Sequence, residues 1–530
     1  MSEQRGYDHE VVVIGAGPGG IAAGALLKMA GLRDFAILER AAEVGGSWRD
    51  NSYPGIGVDV PALAYQYSFA RKPDWQRLFP RGEEVLAYHR HVAKKFGLYR
   101  HLRFNTGVVR EVWDDQRHRW NLHTGDGRTI TARFVISAVG AFLNPKHDVG
   151  IPGLDDYTGI IQRPASWDHT QAHSGLRVAV IGTGASSVQI TPAIAPEVAT
   201  LDVYQRTPVW CLPKPDVELA PWFQRALGVP GVAAGLHGVG LAVLEAATWL
   251  LSTAPLPLGR PAAAAMDRIA KRRYAAYLRR IVDDPATAAA LTPDYGPLTK
   301  RPTISNGYPR AFNRDNVSLL TTPIDRFTST GIRTADGVEH AYDMVVLATG
   351  YELFSDPESY RPDTVVGRDG FDLGEFYNAN RLQAYESVAL PGLPNRWTLV
   401  GPYSWTGTGW HLLVEISAGH AIRAITEARR RQATRAEVTQ QAHHRYHAEV
   451  LRRGQLIQYY FTELNKGVRT YYVNSHGESV YVRPSSVLQA RRSSRRFPLD
   501  DYRYDTTAAP AQADRSAACH ADPALTRGTA

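Results

Sequence analysis

Residues 11–20, VVVIGAGPGG, constrain this chain more than any other stretch. Four apolar residues suited to a buried parallel strand run into Gly15, Gly17 and Gly20, and the alanine-rich IAAGALLKMAG that follows has helical character. Strand, glycine turn and helix start are the parts of a phosphate cradle. The glycines let the backbone turn sharply and approach a pyrophosphate, while the helix N-terminus offers unpaired N–H groups and partial positive charge. Alone, GxGxxG says little. Its weight comes from Glu39, which ends the next apolar run, FAILE, 24 residues after Gly15, where a carboxylate can bind both hydroxyls of an adenosine ribose.

The arrangement occurs twice. From Arg177, RVAVIGTGASSVQITPAIA repeats strand, turn and helix with Gly182, Gly184 and Ser187 in the motif positions, serine replacing the third glycine. The next strand, LDVYQRTP, brings Arg206 in 24 residues after Gly182, the offset Glu39 has from Gly15. A carboxylate suits a ribose 2′-hydroxyl and a guanidinium suits a 2′-phosphate. The pair therefore predicts a first site for an adenine dinucleotide such as FAD and a second for NADP. The apolar runs RFVISAVGAF and AYDMVVLATGYE read as strands returning to the first and second sheets. The expected fold is α/β, two Rossmann-like dinucleotide-binding domains with a helical insertion.

Composition removes other classes. A chain of 530 residues is too long for one simple core. Its two cysteines, Cys211 and Cys519, provide neither a disulfide framework nor a CxxC pair, so no metal centre and no dithiol chemistry is expected. The net charge of +8 is scattered, without a basic tract interleaved with aromatics, which argues against nucleic acid and is compatible with phosphate-bearing cofactors. MSEQRGYDHE has no apolar signal core, so the cytoplasm is expected. Ala226 to Leu244 is apolar but rich in alanine and glycine, interrupted by Pro230 and His237 and followed by Glu245. It reads as a buried or pocket-lining helical insert rather than a membrane span, with surface attachment to a membrane left open.

Other candidates take their meaning from position. Gly45, Gly46 and Trp48 follow the first motif closely enough to form a cofactor or active-site wall, and Asp59 either joins that wall or caps a helix before PALAY. Lys300 and Arg301 are a solvated pair in most contexts, yet beside a phosphate-binding domain they become candidates for contacting cofactor or reacting centre. Trp405, Trp410 and Trp249 hint at a bulky hydrophobic pocket.

GAGPGG, GGSW continuing into RDNSYPGIGVDVP, GTGASS, QRTP, TKRP with NGYPRAFNRDNV, and LATGY stand in one order over about residues 8 to 500. In this the chain resembles the class B flavoprotein monooxygenases, specifically the Baeyer–Villiger monooxygenases. The resemblance implies an FAD domain from 1–150 and 390–504, an NADP domain from 151–220 and 296–389, a helical insertion at 221–295 and a disordered tail at 505–530. It implies FAD and NADPH as cofactors, and a small-molecule ketone with O2 as substrates. Gly15, Gly17, Gly20, Glu39, Gly46, Trp48, Asp59, Gly182, Gly184, Ser187, Gln189, Arg206, Thr207 and Lys300 would contact cofactor. Arg301 would stabilise negative charge as oxygen reaches the carbonyl, with Asp59 orienting it. One departure is visible: in the family fingerprint Tyr157, Gly159, Trp167 and Asp168 fit, but Arg163 occupies the histidine position. The rival reading is a flavin monooxygenase acting on nitrogen or sulfur, for which Arg301 and the Trp167–Asp168 pair are not needed. Neither oligomeric state nor substrate identity is legible.

Overall fold

The computed structural model describes residues 6–146, 149–229, 231–406 and 409–506. Two sheets organise them. The first contains β1 (His9–Ile14), β2 (Phe35–Leu38), β3 (Leu102–Arg103), β4 (Val108–Asp114), β5 (Arg119–Thr124) and β6 (Thr129–Ser137), side by side as β4-β5-β6-β1-β2-β3. Strand β1 is parallel to both β2 and β6. Its unbroken apolar run follows from burial on both faces: Val11 and Val13 enter one core, Val12 and Ile14 the other. Full burial of such side chains is worth roughly 1.5–3 kcal/mol each, so the strand tolerates no polar interruption.

After β1 the chain turns at Gly15 and enters α1 (Pro18–Met29), which packs against the helix Trp410–Arg430. Gly15 has φ +100°, and a Cβ on Gly20 would lie 1.8 Å from the Gly15 carbonyl oxygen. No side chain fits at either position.

After β7 (Phe142–Pro145), the second sheet begins with β8 (Ile160–Gln162), β9 (Arg177–Ile181) and β10 (Thr200–Tyr204), joined by Val317–Leu320 and Met344–Leu347. All its pairings are parallel. Helix α4 (Ala185–Ile194) crosses between β9 and β10 as α1 does between β1 and β2. The repeat is one residue out of step, however. Ile14 pairs with Leu38, whereas Ile181 pairs with Tyr204. The counterpart of Glu39 is therefore Gln205, which is buried and donates to the Ala290 carbonyl; Arg206 lies one residue further and is exposed. Because side chains alternate along a strand, that single step turns the arginine outward.

The chain rejoins the first sheet at Val365–Val366, parallel to β4, and again at Arg396–Thr398, parallel to β6. The first return precedes the expected boundary at 390, since a two-residue strand leaves no readable periodicity. Tyr502–Asp505 pairs antiparallel with Arg435–Val438, so order continues through the expected start of the tail, and residues 507–530 lie outside the described residues.

The short α2 (Ser47–Asp50) and α3 (Gly82–Lys95) cover the first sheet, and the insert forms α5 (Pro221–Leu227), α6 (Val232–Thr253) and α7 (Leu256–Ile281). The expectation of a buried insert holds for one face only. Helix α6 buries His237 and Leu241 near Ala64, Leu412, Ile416 and Val487, but Val239, Val243 and Trp249 on its outer face are each more than half exposed. Trp249 is thereby removed from the candidate pocket.

Candidate active site

The first cradle is closed by the segment after β2. Glu39 is buried, its carboxylate accepting from the Ala16 amide at 2.7 Å and the Ala41 amide at 2.9 Å, with Arg49 at 3.3 Å. Gly46 has φ +54°, and a Cβ there would come within 2.9 Å of the Gly17 Cα. Gly45 and Gly46 thus lie flat on the glycine turn. Trp48 donates its indole N–H to the Tyr65 hydroxyl at 2.9 Å, fixing a wall that leads toward Asp59.

In the second cradle α4 starts at Gly184, where a Cβ would meet nothing within 4 Å. Thr183 donates to the Thr207 carbonyl at 2.7 Å, tying the turn to the segment that holds Arg206. Ser187 is fully buried, so it allows close helix–sheet packing rather than touching a ligand. Gln189 also departs from expectation. Its amide oxygen accepts from Tyr53 at 3.0 Å and its amide nitrogen donates to the Gly57 carbonyl at 2.9 Å, so it ties α4 to the segment that follows the first cradle.

Lys300 stands near Arg206 with its ammonium 5.3 Å from the Tyr295 ring centre. Burial, then repulsion from Arg206, lowers its pKa to about 8. Asp294 offsets only part of this, so two neighbouring cations remain that suit a dianionic phosphate. A phosphate stabilises the ammonium and raises its pKa on binding. A Lys300 that holds the 2′-phosphate would make affinity for NADPH greatest below about pH 8 and let it fall as the pH rises through the range where free Lys300 deprotonates. The KM for NADPH, measured between pH 7 and pH 9.5, is expected to rise several-fold, and in Lys300→Met this rise should vanish.

Arg301 comes just before the two-residue strand Thr303–Ile304 and meets Asp59 from the other end of the chain. Its Nη2 donates to both Asp59 carboxylate oxygens, at 2.6 and 2.5 Å. The Asp59 charge holds the guanidinium pKa above its already high value. Arg301 keeps 41% of its side chain accessible, so part of the guanidinium is open to an incoming group. Tyr53, Tyr65, Tyr471, Tyr472 and Tyr481 all lie close enough to feel its charge. Trp405 packs on Tyr472 and Tyr481 with ring centres 5.9 and 5.6 Å away. The tyrosines at 471, 472 and 481 escaped sequence reasoning; their density of aromatics was the one available signal.

The fingerprint segment borders both cores. A Cβ on Gly159 would fall 2.2 Å from the Tyr157 hydroxyl, and Gln162 exchanges two hydrogen bonds of 2.9 Å with the backbone of Asp168. His169 reaches Ser52 at 2.9 Å. Arg163, at the position of the family histidine, has a buried Nη1 without a hydrogen-bond partner among the described residues.

Both cradles fit a dinucleotide. Helices α1 and α4 begin at glycines with no side chain capping the first turn, so their N–H groups stay available to a pyrophosphate. Residues 12–229 match the family model described as pyridine nucleotide-disulphide oxidoreductase. A Baeyer–Villiger monooxygenase of Streptomyces coelicolor is 36% identical over 97% of this chain and 96% of its own. One of Pseudomonas aeruginosa is 31% identical over 94% and 92%. Among solved structures, an oxidised steroid monooxygenase bound to NADP superposes with a TM-score of 0.79 at 28% identity, covering 94% of this chain and 99% of that one. OTEMO in complex with FAD and NADP gives 0.79 at 25% identity, with the same coverage.

Two dinucleotide cradles, with relatives and NADP-bound neighbours matching over nearly the whole chain, mark it as an NADPH-dependent flavin monooxygenase. Within that class, the two relatives match along nearly the whole length. The chain belongs to the Baeyer–Villiger monooxygenase family.

Proposed function

We propose that this enzyme inserts one oxygen atom from O2 beside the carbonyl of a bulky hydrophobic ketone, giving an ester or lactone, with FAD in the first cradle and NADPH in the second. The observation that carries the reading is the Asp59–Arg301 pair in an aromatic recess. FAD, when bound, activates O2 with the two electrons of NADPH, so that one oxygen atom enters the carbon–carbon bond and the other leaves as water.

Asp59 occupies Nη2 of Arg301, while Nε and Nη1 have no hydrogen-bond partner among the described residues. Those donors are available to negative charge developing on the carbonyl oxygen, and a donor already fixed by Asp59 needs little reorganisation during reaction. Tyr471, Tyr472, Tyr481 and Trp405 exclude water and offer apolar area to a large ketone. Arg206 and Lys300 would hold the 2′-phosphate of NADPH, and Glu39 would hold the adenosine ribose of FAD.

The test is product analysis. Purified enzyme given NADPH with a cyclic ketone, and separately with a thioether, should form a lactone with the first. Sulfoxide from the second and no lactone from any of a panel of cyclic, aromatic and terpenoid ketones would replace this reading with heteroatom oxygenation.

A further inference from the structure

The outer side of the insert is apolar to a degree its position does not explain. Trp222, Val229, Val239, Val243, Trp249 and Leu258 are each more than half exposed and fall within one stretch of 37 residues. Along α6, Val232, Val239 and Val243 recur with helical spacing, separated on the same face only by glycine and alanine. Between Arg225 and Arg260 the one ionisable acid or base besides His237 is Glu245, which turns inward and accepts from the backbone N–H of Val487. A contiguous face of this kind marks an interaction surface rather than ordinary scatter.

Its rim is basic. Helix α7 packs on α6 and exposes Arg268, Arg272 and Arg273, while the helix Val487–Arg496, packed against the inner side of α6, exposes Arg492, Arg495 and Arg496. None of these six arginines forms an ion pair among the described residues. Tryptophans stand toward both ends of the apolar stripe, the side chain favoured where hydrocarbon meets headgroup. Among the described residues no single helix is long and apolar enough to cross a bilayer; α5 and α6 reach that length and apolarity only together, across a 97° bend, which suits α6 lying in the plane of the interface. A second copy would fit poorly, because a two-fold contact through this face brings two arginine rims together.

We infer that this face docks the enzyme onto the surface of an anionic lipid bilayer, with α6 seated among the headgroups and the arginines on their phosphates. Arginines near such a surface add up to salt-sensitive, reversible attachment. On its inner side α6 bonds through His237 to the Leu63 carbonyl at 2.6 Å, in the same loop that begins at Asp59. The docking face and the reacting recess are thus one loop apart.

The full-length holoenzyme is sedimented with phosphatidylcholine vesicles, with and without phosphatidylglycerol. Expected is binding to the phosphatidylglycerol vesicles that drops at least several-fold in high salt, is lost in Val239→Glu/Val243→Glu and is weakened in Arg492→Ser/Arg495→Ser. NADPH oxidation with a water-soluble ketone should be unchanged in both variants, which shows that they remain folded. Equal binding to both kinds of vesicle, sedimentation unaffected by the glutamates, or no binding at all would overturn the inference. So would a dimer in size-exclusion chromatography that the glutamate pair splits, since a second copy would then own the face.

Discussion

Arg301→Ala should leave reduction of the bound flavin by NADPH nearly unchanged and lower ester formation about a thousandfold. The residue pairs with Asp59 and lies in neither phosphate cradle, so cofactor loading is expected to survive its loss. What is lost is a charged donor aimed at developing negative charge, and a single such donor is worth roughly 10²–10³ in rate. NADPH would then be consumed without matching ester, which stopped-flow reduction and product analysis separate. Arg301→Lys should recover little, because one ammonium cannot grip both Asp59 oxygens and still present two further donors in a fixed plane. A normal ester yield in the alanine variant would remove Arg301 from the reaction.

Arg206→Ala should raise the KM for NADPH about tenfold and leave that for NADH nearly unaltered. A hydrogen bond to a charged group is worth roughly 1.5–3 kcal/mol, and the exposed position of Arg206 puts it at the lower end, where solvent screens the pair. At 1.4 kcal/mol per factor of ten, that gives the tenfold change. Lys300, more enclosed, should add to the effect in a double variant, with its share diminishing at high pH. Equal losses with both coenzymes would mean that Arg206 supports the fold of the segment and does not read the phosphate.

The duplicated motif made the class legible because its chemistry is local. Gly15 and Gly182 sit in turns whose positive φ only glycine adopts without strain, and Glu39 and Arg206 end the adjoining strands. Short-range geometry of this kind is written in consecutive residues. The one-residue slip that makes Gln205 the true counterpart of Glu39 was hidden, since register is fixed by hydrogen bonds between strands and not by counting along the chain. The hydrogen bonds of Gln189 were hidden for a related reason: the resemblance implied a cofactor contact, and only the fold brings its amide to Tyr53 and Gly57, more than 130 positions away.

By itself, then, the sequence determined an α/β chain with two dinucleotide cradles, told the carboxylate site from the arginine site, and excluded dithiol chemistry by its lack of paired cysteines. Tertiary structure alone decided what converges on the reacting point. Asp59 and Arg301, 242 positions apart, share two hydrogen bonds, and a wall of tyrosines from residues 471–481 closes around them. It alone also decided which face of α6 is buried, because helical spacing gives a face but not the neighbour that covers it. Contacts between segments distant in the chain arise from packing of whole cores, and no local pattern of residues encodes them.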